Sequence, residues 1–448
     1  MFSGKLGFVL SAAGASVGLG NIWRFPYLAA KYGGGIFLLI YILLALTFGY
    51  TMIVAETSLG RMTRKSPVGA FASFTKSHTL KAGGWINAII PILIVPYYSV
   101  IGGWVIKYLF EYICGNGTKL AEDGYFSMFI SDGVSAEICF IVFALITLTI
   151  IFAGVRNGIE RVSKFMMPIL VVLSVIIAIY SVTRPGALKG IQYFLVPNLE
   201  NFSWMTVVSA MGQMFYSLSI AMGILVTFGS YMKKETSIEN STRNVEVFDT
   251  AIAIMAGLMI IPAVFAFSGG DPNTLQAGPS LMFITIPKVF ASMGLGTVVG
   301  ILFFVLVLFA AVTSSIALTE SAVSTFEDEL HWNRKKSTVV IGIIMLALGT
   351  LSSLGYGPLD AVKILGMQFL DFFDFLTNSV MMPIAAIATC LLVSRVIGVD
   401  RIEEEMMQEG GTFRRKKIFV MMIKYLCPVF AAIILISSVM NAFGLISM

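Results

Sequence analysis

The first apolar segment contains polar and flexible residues where a membrane helix is normally uniform. It reads G-A-S-V-G-L-G-N-I-W-R-F-P-Y over residues 14–27. Gly18, Gly20 and Asn21 weaken a helix there, and in hydrocarbon each freed N–H or C=O costs several kcal/mol unless a partner satisfies it. Such a break persists where it lines a polar cavity, and its backbone groups can then hold an ion or a zwitterion. A glycine notch for close helix packing is the alternative, but packing requires neither Asn21 nor Arg24.

A second interrupted segment lies five helices later. Gln213, Ser217 and Ser219 fall at mid-membrane between Gly212 and Gly223. Interrupted segments at corresponding places in two halves of a chain indicate an inverted-repeat transporter. Because the two halves insert with opposite orientation, each needs an odd number of helices, and five fits the spacing.

The composition is that of an integral membrane protein. Hydrophobic residues make up 57% and charged residues 12% of the chain, and the mean hydropathy is +0.88. The first segment is too long for a signal peptide. We therefore predict an all-α fold with one transporter domain over residues 1–448, in which 1–183 and 203–394 are the inverted repeats and 414–445 is an extra helix. About eleven segments are long enough to span a bilayer: 6–31, 34–60, 84–113, 136–155, 160–183, 203–231, 243–269, 294–326, 337–355, 360–394 and 414–445.

Lysine and arginine are concentrated in alternate loops. Basic residues follow the second, fourth, sixth, eighth and tenth segments, whereas the other loops carry few. The positive-inside rule then places the N-terminus in the cytoplasm and the C-terminus outside, in a multi-pass protein of the inner (cytoplasmic) membrane. The net charge of +5 reflects this bias and gives no reason to expect nucleic acid as a partner.

Enzymatic chemistry is not expected from this sequence. The four cysteines have no metal-ligand spacing, and the chain has two histidines. Cys114 and Cys139 are the pair that could meet near the outer face, but we do not predict a disulfide between them. A channel would need a continuous polar path, whereas the polar residues cluster at mid-membrane.

The ordered motifs resemble the neurotransmitter:sodium symporter family, and in particular its bacterial eleven-helix members such as the leucine transporters. The resemblance covers nearly the whole chain. It implies broken first and sixth helices, sodium coupling and alternating access. The motifs that carry it are G-x-x-V-G-L-G-N-I-W-R-F-P at 14–26, Gly33-Gly-Gly35, Glu56, Pro96-Tyr-Tyr98, Gly212-Gln213, Ser230-Tyr231, Thr313-Ser-Ser315, Phe326-Glu-Asp-Glu-Leu330 and Asp371-Phe-Phe-Asp374.

Two sodium sites are implied by the resemblance. The second site would use the carbonyls of Gly14, Val17 and Ala310 with the hydroxyls of Thr313 and Ser314, an all-oxygen shell that suits a hard cation. Back-bonding of these hydroxyls to the preceding helical turn is the alternative.

The first sodium site would use Ser16, Asn21, Ser217 and Asp249, completed by the substrate carboxylate. Relatives that need chloride have no acid near this site, and their chloride would lie near Tyr41, Gln213 and Ser217. We expect the carboxylate of Asp249 to replace that anion, so that chloride is not required. A structural ion pair between Asp249 and Arg243 is the alternative.

The amino acid is expected between the two breaks. Its carboxylate would meet the N–H groups of Leu19 and Gly20 and the hydroxyl of Tyr98, and carbonyls around Ser16 and the Phe215–Ser217 break would take the ammonium. Monoamine carriers of the family have aspartate where this chain has Gly18, so an α-amino acid is favoured. Plain helix packing is the alternative role for the apolar members of the side-chain pocket: Ile94, Ile101, Tyr216, Ser219, Met222, Ser314 and Leu318.

Gate residues also follow from the resemblance. Arg24 and Asp374 would form the outer gate above Tyr98 and Tyr216, and Glu56 would accept hydrogen bonds from the helix 6 break. Asp328 matches the inner-gate aspartate. The family arginine opposite it would fall before Met1, so the chain lacks this arginine, begins after its position, or uses Lys5 in its place.

The fifth helix carries one further family pattern. Gly158 and Pro168 are separated by nine residues, a spacing that lets this helix unwind in some relatives. A static proline kink is the alternative.

Sodium-coupled import of a neutral, hydrophobic L-amino acid is the function that this reading predicts. A membrane-embedded amino-acid sensor without turnover is the alternative from another class. The sequence leaves open branched aliphatic, aromatic or broad apolar substrates, the sodium stoichiometry and the oligomeric state.

Overall fold

The computed structural model describes residues 2–269 and 279–445. Their backbone is helical apart from turns and one isolated β-bridge between Ile364 and Met367, which confirms the all-α prediction. Nine continuous helices in this part of the chain are long and apolar enough to cross a bilayer, and a bent pair makes a tenth span. The sixth predicted span is a pair of shorter helices. The spans are α1 (Lys5–Ser16 and Gly20–Lys31), α2 (Gly35–Thr63), α3 (His78–Ile113), α4 (Gly133–Phe152), α5 (Val155–Val182), α6 (Trp204–Ser217 and Ile224–Ser230), α7 (Ile238–Ser268), α8 (Gly296–Leu330), α9 (Arg334–Leu354), α10 (Phe369–Ile397) and α11 (Lys416–Ala442).

Both predicted helix breaks are present. The two halves of α1 are bent by 54°, and Val17 between them is extended, with φ −75° and ψ 94°. In α6 the break contains Ser219 and Ala221 with φ of +52° and +59°. Each left-handed non-glycine residue costs about 1–3 kcal/mol, so surrounding contacts must hold this segment in place.

Those contacts come from α1 and α2. The Ser219 hydroxyl donates to the Ala15 carbonyl at 3.0 Å, and the Ala221 N–H donates to Glu56 Oε1 at 2.8 Å. Glu56 therefore accepts a freed N–H of the α6 break, as the sequence predicted. Because both strained residues are tied to neighbouring helices, the break is a fixed part of the packed interior.

The helices around the breaks approach one another closely. A Cβ on Gly60 of α2 would collide with the Val226 carbonyl of α6, and one on Gly229 would lie 2.5 Å from the Thr57 carbonyl. In the most apolar stretch of each helix, the buried share of residues is 78% in α3 and 72% in α8, but 33% in α11. The breaks are therefore enclosed by α2, α3 and α8, whereas α11 lies at the periphery.

Some helix boundaries differ from the prediction. The tenth span begins at Phe369 and not near residue 360, because the chain turns at Leu365 and Gly366, where φ is positive. The seventh begins at Ile238, five residues early, where the Ser237 hydroxyl caps the helix by accepting from the Asn240 N–H. Hydropathy alone detected neither the turn nor the cap. The division into inverted repeats stays a prediction.

Candidate functional site

A small enclosed cavity lies between the two helix breaks. Its volume is about 30 Å³, which is space for one or two water molecules. An amino acid can therefore enter only if the walls move apart. The cavity is lined by Ala15, Ser16, Gly18, Leu19, Gly20, Asn21, Ile94, Tyr98, Tyr216, Ser219, Met222, Ser314 and Leu318.

Backbone groups of the α1 break point toward a hydroxyl on α3. The Leu19 N–H donates to the Tyr98 hydroxyl at 3.3 Å. A Cβ on Gly18 would lie 2.7 Å from Ser314 Oγ, closer than real Cβ contacts allow, and 3.1 Å from Tyr98 Oη, a tight contact. A Cβ on Gly20 would collide with the Tyr216 ring. A side chain at either position would therefore have to displace Ser314 or Tyr216 from the cavity wall.

A buried carboxylate organises one side of the α1 break. Asp249 on α7 accepts from Asn21 Nδ2 at 2.8 Å, from the Ser217 hydroxyl at 2.9 and 3.0 Å, and from the Tyr41 hydroxyl at 3.1 Å. All four side chains are 0% exposed. Arg243, the alternative partner, is exposed and forms no ion pair with Asp249. Three helices, α1, α2 and α6, thus bring hydrogen-bond donors to one buried carboxylate on α7.

A second oxygen cluster lies between α1 and α8. The Ser314 hydroxyl is 3.2 Å from the Gly14 carbonyl, 3.1 Å from that of Ala15 and 3.3 Å from that of Val17. The neighbouring Thr313 hydroxyl is bonded back to the carbonyls of Phe309 and Ala310. Uncharged oxygens are ligands that hard cations accept, so the set fits an ion such as sodium.

The cavity wall does not contain every residue that the sequence singled out. Ile101 and Phe215 are buried outside it, and the Ser16 hydroxyl donates to Ala12 of its own helix at 3.1 Å. Ala15 lines the cavity and was not predicted. Its small apolar side chain carried no chemical pattern that could have marked it.

Gln213 lies beside the α1 break. Its amide nitrogen donates to the Gly20 carbonyl at 3.1 Å, and its Oε1 is buried without a hydrogen-bond partner. One carbonyl freed by the break is therefore satisfied by a side chain of α6.

The predicted outer-gate pair is not in contact. The Arg24 guanidinium lies over the Tyr216 ring, 5.4 Å from its centroid. Asp374 accepts instead from Asn378 Nδ2 at 2.6 Å and from the Tyr97 hydroxyl at 3.2 Å. An ion pair between Arg24 and Asp374 was expected from the resemblance. In this structure Arg24 contacts an aromatic ring and Asp374 accepts hydrogen bonds from polar side chains.

The predicted inner-gate acid is held by backbone. Asp328 accepts from the Ser66 N–H, and Lys5 is exposed and forms no ion pair within the described residues. The strong charge contact nearby is Arg334 with Glu320, at 2.5 and 3.0 Å, and Glu320 also accepts from the Tyr231 hydroxyl. Sequence reasoning missed this pair, because 14 residues separate its members.

The start of α5 is helical without interruption. Residues 155–160 form a π-helical turn that contains Gly158, and a regular helix follows through Pro168. The glycine and proline are thus accommodated in a continuous helix, with a π-turn in place of an unwound segment.

Comparison with known proteins agrees with this architecture. The model of the sodium:neurotransmitter symporter family matches residues 1–118 and 127–445. The chain is 33% identical over 452 residues to YhdH of Bacillus subtilis, described as an uncharacterized sodium-dependent transporter, and covers 98% of it. It is 27% identical to the human sodium- and chloride-dependent GABA transporter 2, covering 73% of that protein.

The fold has a close counterpart among solved structures. It matches the crystal structure of MhsT in complex with L-phenylalanine with a TM-score of 0.87 and 34% identity, over 98% of this chain and 99% of that one. The family match extends over nearly the whole chain and includes both broken helices, and it identifies a multi-pass, sodium-dependent membrane transporter. The chain belongs to the sodium:neurotransmitter symporter family.

Proposed function

We propose that this transporter couples sodium to the import of a neutral, hydrophobic L-amino acid by alternating access. The observation that carries the proposal is the enclosed cavity bounded by the two helix breaks. One end of it offers the Leu19 N–H and the Tyr98 hydroxyl, 3.3 Å apart, to a carboxylate. The resemblance to MhsT, whose structure contains L-phenylalanine, supports the same substrate class.

The walls of the cavity favour an apolar side chain. Ile94, Met222 and Leu318 are buried hydrophobic residues, and the side-chain hydroxyls near them belong to Ser219 and Ser314. None of the lining residues carries a charged side chain. A charged substrate side chain would be left unpaired in a low-dielectric site, which is costly. The flexible thioether of Met222 lets the cavity adapt to more than one shape.

Sodium would bind at the two oxygen clusters. In the first, Asn21, Ser217 and Asp249 surround the α1 break, and the substrate carboxylate would complete the shell. In the second, carbonyls of α1 face the Ser314 hydroxyl, and the Thr313 hydroxyl would turn from its own helix to join them. Sodium at the second cluster would supply positive charge to carbonyls that the break has left free.

Chloride is not required under this proposal. The carboxylate of Asp249 lies where an anion would neutralise sodium at the first site, within hydrogen-bond distance of Tyr41 and Ser217.

The lysine and arginine bias supports a cytoplasmic N-terminus, an external C-terminus and a location in the inner membrane. We refer to the resulting faces as the predicted cytoplasmic and outer ends.

A thermal-shift screen of the twenty amino acids, in sodium and in choline, tests the substrate and its coupling. A neutral hydrophobic amino acid should raise the melting temperature in sodium, and sodium and substrate should raise each other's affinity by the same factor. Stabilisation that is identical in choline would contradict the proposal.

Uptake into proteoliposomes distinguishes a transporter from a sensor. A sodium gradient should drive accumulation of the amino acid found in the screen, and dissipation of the gradient should stop it. Binding without sodium-driven accumulation would favour the sensor.

A further inference from the structure

The carboxylate of Glu160 joins the N-terminal segment of the chain to the start of α5. Its side chain is 2% exposed and lies 2.5 Å from the Lys164 ammonium. The Ser3 N–H donates to Glu160 Oε2 at 2.8 Å, and the Ser3 hydroxyl donates to Oε1. Ser3 and Glu160 are 157 residues apart, so this contact depends entirely on tertiary structure. None of the roles assigned above uses it.

The same carboxylate lies against the first turn of α1. Gly4 caps this helix and offers no side chain to its free N–H groups. A Cβ on Gly7 would collide with the Glu160 carboxylate, so the contact requires glycine there. Negative charge is favourable at a helix N-terminus, where the first N–H groups have no intrahelical partner. The Glu160 carboxylate of α5 therefore lies beside the start of α1, where it is electrostatically favourable, and its hydrogen bonds come from Ser3 just before the helix.

Phe2 fixes the opposite side of this segment. It is 2% exposed, and its ring makes edge contacts with Phe8, Phe228 and Tyr231 at centroid distances of 5.8, 5.5 and 6.1 Å. Its N–H donates to the Tyr231 carbonyl at 3.3 Å. The N-terminal segment is thus held between α5, through Glu160, and the end of α6.

We propose that Glu160 is a positioning residue that locks the first half of α1 at the predicted cytoplasmic end, and that this end opens when Glu160 releases Ser3. The proposal rests on alternating access as the proposed function. Gly14, which faces Ser314, lies about 10 Å along the same helix from Gly7. Because the helix between them is continuous, movement at its start is transmitted to the second oxygen cluster.

Two buried serines provide matched reporters of opening. Ser11 on the first half of α1 and Ser209 on the first half of α6 are 2% and 3% exposed, and neither hydroxyl has a hydrogen-bond partner. Each is replaced by cysteine, Ser11→Cys or Ser209→Cys, in a background with Cys114→Ser and Cys139→Ser. Cys390 and Cys427 are buried, and the background without a reporter measures their contribution. The rate of alkylation by a hydrophilic thiol reagent is then measured in the purified full-length protein.

Glu160→Gln should raise the alkylation rate of Ser11→Cys about tenfold, the effect of weakening a charged hydrogen bond by about 1.4 kcal/mol. Ser209→Cys should not become more reactive. Glu111→Gln is the matched control, because Glu111 also pairs with a lysine one turn away, Lys107 at 2.7 Å, but lies near the outer end. It should change neither rate.

Ser3→Ala keeps the carboxylate and removes one donor, so it should raise the Ser11→Cys rate in the same direction by a smaller factor. The Ser3→Ala variant tests the proposal by itself if Glu160→Gln fails to fold. Unchanged labelling of Ser11→Cys in either folded variant, or an equal rise at both reporters, would overturn the proposal. Saturating sodium should slow labelling of Ser11→Cys. If sodium leaves the labelling rate of Ser11→Cys unchanged while Glu160→Gln still raises that rate, the result contradicts the proposed sodium coupling but supports the role of Glu160.

Discussion

Replacement of Asp249 by asparagine should make transport depend on chloride. The variant removes the negative charge that accepts from Asn21, Ser217 and Tyr41 at 2.8–3.1 Å. A sodium ion at the first site would then be uncompensated. Two unit charges about 4 Å apart at an effective dielectric constant of about 20 interact by about 4 kcal/mol. Since each 1.4 kcal/mol is a factor of about ten, sodium affinity should fall by between two and three orders of magnitude.

The assay is sodium-driven amino-acid uptake into proteoliposomes, with chloride or gluconate as the anion. The parent protein should transport equally in both media. Asp249→Asn should be inactive in gluconate, and chloride should restore part of the activity if Tyr41, Gln213 and Ser217 frame an anion site. Asp249→Ser is the second variant, because its smaller side chain leaves more space for the anion.

Glu246→Gln is the matched control for this experiment. Glu246 lies one turn away on α7, is 1% exposed, and pairs with Arg415 at 3.0 Å. Its replacement should reduce thermal stability without introducing a chloride requirement. A parent protein that already needs chloride would refute the reasoning, as would an Asp249→Asn variant that transports at the parent rate in gluconate.

Other substitutions probe the remaining contacts. Gly18→Asp should abolish amino-acid uptake. The aspartate Cβ would lie 2.7 Å from Ser314 Oγ, and the aspartate carboxylate would face the carboxylate of the substrate. Uptake at the parent level would contradict the placement of the cavity. Thr313→Ala should weaken sodium activation about tenfold, the effect of one lost ion contact, and competition assays should show an unchanged order of amino acids. Met222→Phe should shift preference toward smaller aliphatic substrates, which the same assays measure. Gly60→Ala should lower the melting temperature by several degrees, because the added Cβ meets the Val226 carbonyl. An unchanged melting temperature would show that α2 and α6 can separate at no cost.

Much of the fold could be predicted from local sequence patterns. Apolar stretches marked the spans, and helix-weakening residues marked both breaks, at Val17–Asn21 and near Ser219. These patterns involve residues that are close together in the chain, so they can be recognised from the sequence alone. The start of α10 was misplaced because Leu365 and Gly366 form a turn within an apolar stretch.

The motifs also identified most of the candidate site. Asn21, Ser217 and Asp249 were grouped through the resemblance, and the structure brings them within hydrogen-bond distance. The expected ion pair between Arg24 and Asp374 is not formed: Arg24 lies over the Tyr216 ring, and Asp374 accepts from Asn378. Side-chain partners at a gate depend on how far the gate has closed, and sequence does not encode a single state.

The sequence by itself determined the membrane class, the positions of the breaks and the family. Only the tertiary structure decided the size of the closed cavity, the partners of the gate charges and the contact between Ser3 and Glu160. Hydropathy and helix propensity are set by neighbouring residues, whereas contacts across 157 or 228 positions exist only once the helices have packed. Their geometry depends on where each helix bends and on which glycines allow close approach, and those are properties of the assembled bundle.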